Sequence, residues 1–424
     1  MQPPPDESAA AEAVDAVHPV LTPVHDFARK LRQSAFLPRV REYAAWRRAV
    51  LAARAAGDAE PPLPAWAPFS INLDLTTACN FACDHCVDWD ILNSGVSYDD
   101  QRLRASLATM AQHGLRSVIL IGGGEPTVYP GFAPMVRYLK ELGLQVAIVS
   151  NGSRNDRILE VVDVLDERDW IRLSLDAGRD ATFQAMHNPK KPVTLDEICA
   201  WIPKIRERNP APRVGFSFIV TWQGAERVEG VSIVENLGEI LEAAERARDA
   251  RFDYISFKPF LVRTPEGAEV IDPEASQAHH REIVARIRRS LDEAKTLSTE
   301  TFAVMESTNM KLLESGGWAA WTRQPRTCHM QVFRQVLSPL GLWNCPAHRG
   351  VEEGRLGGKD AFVDDEAVAD TAHATARALD AFDASVRCRE VTCLYHDANW
   401  WLERVIEDPQ ELGETAAMDG DFFL

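Results

Sequence analysis

The chain has 424 residues, 46% of them apolar and 26% charged, which fits a folded protein with room for two domains and excludes a disordered or fibrous chain. Its 63 acidic against 46 basic side chains leave a net charge of −17, so neither nucleic acid nor an anionic membrane surface is expected as a partner. No apolar run reaches the roughly 18 residues that span a bilayer, and the proline- and acid-rich N-terminus lacks an apolar signal core. The expectation is a cytoplasmic protein whose eight cysteines are reduced thiols.

In chain order, residues 1–17 read as a disordered tail. Residues 18–68 form a helical extension, with Phe27, Leu31, Phe36, Val40, Tyr43 and Trp46 on its apolar face, closing in a proline-rich linker from Gly57. These helices are expected to pack against the main domain. Residues 69–262 then alternate. Strands are predicted at 70–75, 117–122, 145–150, 170–175, 213–221 and 253–257, and helices at 100–113, 130–142, 156–166, 195–208 and 232–250. Six strands separated by helices imply a parallel sheet with right-handed crossovers. Residues 263–300 read as a linker: a loop, then a charged helix over 274–297, on which His279 and His280 are solvated surface. Residues 301–424 form a smaller C-terminal unit. Cys199 sits alone on a predicted helix and reads as a buried apolar residue.

The main organising stretch follows the first strand. Cys79, Cys83 and Cys86 stand at i, i+4 and i+7 on one loop. Three crowded thiols pair badly as disulfides and well as metal ligands. A four-iron cluster held by three thiolates keeps one iron open; a zinc site completed by a residue such as His85 is the alternative. After the second strand comes Gly122-Gly123-Gly124-Glu125, where glycines admit a ligand to the backbone and the acid can hold an ammonium. Asn151 follows the third strand, Ser174 and Asp176 the fourth. The last two, two residues apart, are expected to share a face and point into the mouth. Lys258 ends the sixth strand, where it reads equally as a partner for an anionic substrate group or as a capping lysine.

The Cys-x3-Cys-x2-Cys spacing resembles the radical S-adenosylmethionine (radical SAM) superfamily. The resemblance implies a partial (β/α)6 TIM-like barrel, an α/β fold, with ligands at the C-terminal ends of the strands. It implies a [4Fe–4S] cluster on Cys79, Cys83 and Cys86, and S-adenosylmethionine on its open iron. Gly123, Gly124 and Glu125 match the motif that meets the methionine amino group, and Asn151, Ser174 and Asp176 match further polar contacts to SAM. His85 takes the place of the family's usual aromatic residue before the third cysteine.

Four more cysteines, Cys328, Cys345, Cys388 and Cys393, lie in the last hundred residues. The first two flank a predicted hairpin around Gly341. This region resembles the twitch form of the SPASM domain, a small α+β unit holding an auxiliary [4Fe–4S] cluster, although only three residues separate Gly341 from Cys345 where that pattern has four. Structural zinc is the other reading of four thiols. His329, His348 and Arg349 are expected either to tune such a cluster, to contact substrate, or to be surface groups. The architecture is similar to that of enzymes of the 2-deoxy-scyllo-inosamine dehydrogenase type. What it implies is hydrogen abstraction from a small polar metabolite, oxidation through the auxiliary cluster, and an external electron donor such as flavodoxin or ferredoxin. Peptide modification and redox-neutral elimination, deamination or epimerisation are the alternatives, and no residue is identified as a catalytic acid or base.

Overall fold

The computed structural model of the chain describes residues 26–225, 231–263, 269–270, 280–416 and 420–424. The tail over 1–17, the start of the helical extension, His279 and Met418 lie outside these residues. Strands β1 (Ser70–Leu73), β2 (Ser117–Leu120), β3 (Gln145–Ser150), β4 (Trp170–Ser174), β5 (Arg213–Val220) and β6 (Tyr254–Pro259) pair in parallel in that order. β7 (Val262–Arg263) and β8 (Glu269–Val270) pair antiparallel apart from the main sheet, where a loop was expected. β9 (Ala303–Glu306) then returns to pair in parallel with β6. At the other edge β10 (Arg334–Ser338) pairs in parallel with β1, and β11 (Gly341–Trp343) and β12 (Arg355–Gly357) follow in antiparallel fashion. The result is one ten-stranded open sheet, ordered β12-β11-β10-β1-β2-β3-β4-β5-β6-β9.

This corrects two boundaries. The segment at 303–306 belongs to the main sheet, not to the C-terminal unit, and the hairpin β10–β11 continues that same sheet. The physical reason is the exposed edge that β1 and β6 each present after six strands, a row of unpaired backbone groups that needs a partner. Parallel strands with helices on their outer face bury both sides. Thus Ile71, Leu73, Val118, Leu120, Ile171, Leu173, Phe216, Phe218, Ile255 and Phe257 join the helices in the largest core. The alternate residues face inward. Ile119, Ala147 and Val149 form a separate inner cluster closed by Phe423.

Helix boundaries moved for local reasons. The predicted 195–208 helix is two, Leu195–Cys199 and Ile202–Arg208, broken where Pro203 follows Ile202. The 232–250 helix begins only at Ile240, because Asn236 spends its amide on Ile219 O and Asp176 O. The N-terminal helices Phe27–Leu31 and Leu37–Ala56 pack on the cysteine-bearing C-terminal region as much as on the barrel, sharing a core with Phe333, Tyr395, Trp401 and Leu402. Phe36 stacks on Phe69 and Phe69 on Phe333, so one aromatic column joins the extension, the start of β1 and the start of β10.

Candidate metal and cofactor centre

β1 ends at Leu73 and the chain enters the cysteine loop at the C-terminal end of the sheet. The loop is held from below by the last turn of the helix Asp180–His187 and the residues just after it. Ala82 N donates to His187 O at 3.2 Å, Asp84 N to Met186 O at 3.0 Å, and Lys190 Nζ to Cys79 O at 2.7 Å. Phe81 is buried edge-on to Phe183 and His187. Asn93 Oδ1 receives Cys79 N at 3.1 Å. The three thiols remain half-buried. Burial first, then the neighbouring Cys86 and Cys79, push the Cys83 thiol well above its ordinary range. Three thiols close enough to resist ionising together are a set that a polynuclear cation stabilises as thiolates.

The glycine turn lies against this loop. Glu125 N donates to Ala78 O at 2.9 Å. Gly122 and Gly123 adopt φ of 72° and 60°, the left-handed region that favours glycine. A Cβ on Gly124 would sit 2.5 Å from Ala78 O and Thr76 O, so only glycine lets the two loops meet. The Glu125 carboxylate is buried and accepts from Thr127 N at 3.0 Å, Ser150 Oγ at 2.7 Å and Asn151 N at 2.7 Å. It thereby ties the ends of β2 and β3 together. Asn151 Nδ2 donates to Asn80 Oδ1 at 2.9 Å, and Asn80 Nδ2 reaches Ser153 Oγ at 2.8 Å. Asn80, inside the cysteine loop, was not singled out from the sequence.

Ser174 closes β4 opposite Ser217. Asp176 departs from expectation. The strand has ended, its φ is 51°, and the side chain turns beneath the cysteine loop instead of alternating into the mouth. Its carboxylate accepts from Ile219 N at 2.7 Å and lies 3.1 Å from His85 Nε2 and 3.5 Å from His187 Nε2. Burial works to raise its pKa, but the His85 hydrogen bond and the two imidazoles outweigh it and hold the group below the usual carboxylate range. His187 Nδ1 stands 3.2 Å from Cys83 Sγ. Among the described residues, His85, Asp176 and His187 are the one group of metal-type ligand atoms all within 4.8 Å of one another. Sequence gave no sign of His187, which reads as an ordinary last-turn residue of its helix.

The second set comes from four segments. Cys328 precedes a helical turn leading into β10, Cys345 follows β11, Cys388 follows the short helix Ala384–Arg387, and Cys393 precedes the helix His396–Glu407. Burial raises Cys388 and Cys393 far above the ordinary thiol range, and each feels the charges of Cys328 and Cys345. The four therefore converge. His348 Nε2 lies 3.4 Å from Cys388 Sγ and Asn399 Nδ2 3.7 Å from Cys328 Sγ. His329 turns away, to Tyr43 Oη and Glu403. Arg349 crosses to the first site, 3.2 Å from Asp74 and 2.6 Å from Asp88, the latter two residues past Cys86. Asp88 also accepts from Gly123 N, and a Cβ on Gly122 would overlap the Arg349 guanidinium.

Residues 73–263 match the Radical SAM superfamily. An S-adenosylmethionine-dependent nucleotide dehydratase of Selenomonas ruminantium is 26% identical over 221 residues, 50% of this chain and 77% of that protein. The sporulation killing factor maturation protein SkfB of Bacillus subtilis is 29% identical over 152 residues, 35% of each. Among solved structures, Streptococcus suis SuiB superposes with a TM-score of 0.51 at 14% identity, over 70% of this chain and 66% of its own. The chain spans less than half of two further nucleotide dehydratases, 39% and 46% of their lengths. Among the described residues no helix is long and apolar enough to cross a membrane.

Proposed function

Residues 73–263 carry a radical SAM domain; from that premise we propose that the chain is a radical SAM enzyme that abstracts hydrogen from a small polar metabolite, a sugar, cyclitol or natural-product intermediate, and oxidises it. Cys79, Cys83 and Cys86 hold the SAM-binding [4Fe–4S] cluster in this reading, and Cys328, Cys345, Cys388 and Cys393 an auxiliary one. When bound, the first cluster and SAM supply the 5'-deoxyadenosyl radical that removes a substrate hydrogen. An external donor, flavodoxin or ferredoxin, supplies the electron.

The chain's own residues bind and orient. Glu125 receives the methionine ammonium, and Gly123 and Gly124 keep that turn clear of side chains. Asn151 and Ser174, at the ends of β3 and β4, would supply further polar contacts to SAM. Asp176 acts at one remove, fixing the His85 and His187 rings beneath the cysteine loop. The carrying observation is the Glu125 N to Ala78 O hydrogen bond, which seats the acid one residue from Cys79.

The test is iron and sulfide per chain after anaerobic reconstitution, with 5'-deoxyadenosine measured on addition of SAM and reductant. About eight iron are expected, falling to about four in the Cys79/Cys83/Cys86→Ala variant together with loss of 5'-deoxyadenosine. About four iron in the wild type, with zinc retained in both, would replace oxidation by a redox-neutral reaction. A second reading, modification of a precursor peptide, is favoured by the similarity to SkfB. Deuterium transfer into 5'-deoxyadenosine separates the two: from a labelled metabolite in the first, from a labelled peptide alone in the second.

A further inference from the structure

The inner face of the sheet carries cations where a chain of net charge −17 has no evident need of them. Ile171 and Leu173 pack outward, so Arg172 between them points inward. Phe216 and Phe218 place Ser217 inward, Ile255 and Phe257 place Ser256 and Lys258 inward, and Leu337 sets Arg334 on the inner side with Asn72. Two contacts fit that assignment. Lys258 Nζ donates to Ser217 Oγ at 2.8 Å, and Arg334 Nη2 donates to Asn72 Oδ1 at 2.7 Å. Tyr254 stands level with Arg172, both registered against Gly215, where a Cβ would overlap the Tyr254 ring.

The three cations lack carboxylate partners among the described residues. Among the described residues none of them is in an ion pair, and the Nε atoms of Arg172 and Arg334 are buried without a hydrogen bond. The carboxylate nearest in effect is Asp176, which raises both Arg172 and Lys258 but is committed to His85, His187 and Ile219 N. Burial, then the Arg172 charge, pushes the Lys258 amine well below its ordinary range, and burial lowers Arg172, on which Arg334 also acts. All three are half-buried, and Arg172 lies 5.3 Å from the Trp170 ring centroid and Arg334 5.8 Å from that of Tyr395. The rings supply no counter-charge, and like charges gathered in one partly desolvated cavity favour an anion among them. Ser217, Ser256, Asn72 and Tyr254 add neutral groups on the same face. The far end is floored by Phe423 against Trp170, so a ligand enters from the end that bears the cysteine loop.

We propose that Arg172, Lys258 and Arg334 form an anion subsite inside the barrel that holds the phosphate of a phosphorylated small-molecule substrate. Two planar forks and one point charge suit a multiply charged tetrahedral oxyanion better than a single carboxylate. The inference rests on the proposed small-metabolite function and names the substrate's class: a phosphate or diphosphate ester.

The experiment titrates pyrophosphate calorimetrically into anaerobic, SAM-loaded protein, with malonate as the dicarboxylate control. Wild type is expected to bind pyrophosphate saturably and malonate at least tenfold more weakly. Lys258→Met and Arg172→Gln each weaken pyrophosphate at least tenfold. Arg172→Lys, which keeps the charge but loses the planar fork, weakens binding less than Arg172→Gln does, and the exposed Lys204→Gln is unchanged. If Arg172→Gln fails to fold, Lys258→Met and Arg334→Gln carry the comparison. Equal binding by all variants overturns the site. Malonate binding as tightly as pyrophosphate overturns the phosphate assignment, and competition between pyrophosphate and SAM gives the cations to the SAM carboxylate instead. The same preparations are assayed for 5'-deoxyadenosine. Wild type that makes it but binds no pyrophosphate refutes the subsite and leaves the radical reading; the converse refutes the radical reading and leaves the subsite.

Discussion

The two cysteine sets are built by opposite means. Cys79, Cys83 and Cys86 belong to one loop, half-buried, clamped by residues of a neighbouring helix and by the Glu125 turn. Cys328, Cys345, Cys388 and Cys393 come from four segments, and two of them are buried in the core that also receives the N-terminal helices. A local site can lose its metal and leave the sheet standing. A site assembled from distant segments shares its free energy with the fold, because binding there closes chain that is otherwise loosely tied.

The sharpest way to break this comparison is to cut one thiol from each. Cys83→Ser is expected to abolish 5'-deoxyadenosine formation while shifting the melting temperature little. Cys388→Ser is expected to lose about four iron and lower the melting temperature by roughly 3–5 °C, since each kcal/mol is worth about 1 °C in a chain of 424 residues. Equal shifts in anaerobic melting curves would erase the distinction. Next comes the bridge between the sets. Arg349→Met removes the cation that Asp74 and Asp88 share and should cost about 3–5 kcal/mol in denaturant titration. A loss under 1 kcal/mol would mean the two regions are coupled through the sheet alone.

Within the first site, Glu125→Gln removes one charge and keeps the shape. It should raise the SAM dissociation constant about ten- to a hundredfold, the worth of a charged hydrogen bond of 1.5–3 kcal/mol, with iron content unchanged. The smallest effect is read as a slope. Burial, offset in part by Arg349, pushes Asp74 up to about 7. A carboxyl whose folded pKa is raised contributes stability that is full below its unfolded pKa and lost as pH rises through the folded one. Wild type should therefore lose stability between pH 4 and pH 7, and Asp74→Asn should flatten that slope in melting temperature against pH.

The alternating strands of the barrel were legible because each is an apolar run bounded by turns, and the first cysteine loop because its ligands are neighbours in sequence. β9 was not, since the run Phe302 to Glu306 is too short to stand out and its partner β6 lies outside any local window. Nor was the union of β10 with β1, which hydrophobic pattern does not encode: a strand's periodicity tells which face is buried and says nothing of which edge it meets. Asp176 was misplaced because alternation was carried one residue pair beyond the end of a strand. The inward cations were visible singly, and Lys258 was noted, but that Arg172, Lys258 and Arg334 share one face emerges only from the register of four strands.

The pairing of β1 with β10 also sets a clock. Arg334 and Asn72, which meet across that seam, are 262 residues apart. At about 5–20 residues per second of synthesis, the edge of β1 waits roughly 10 to 50 s on the ribosome for its neighbour. Through that interval a bare parallel edge lies open to strands of other nascent chains. Yield of the intact protein should therefore depend on how quickly translation reaches Ser338, and on what shelters β1 until it does.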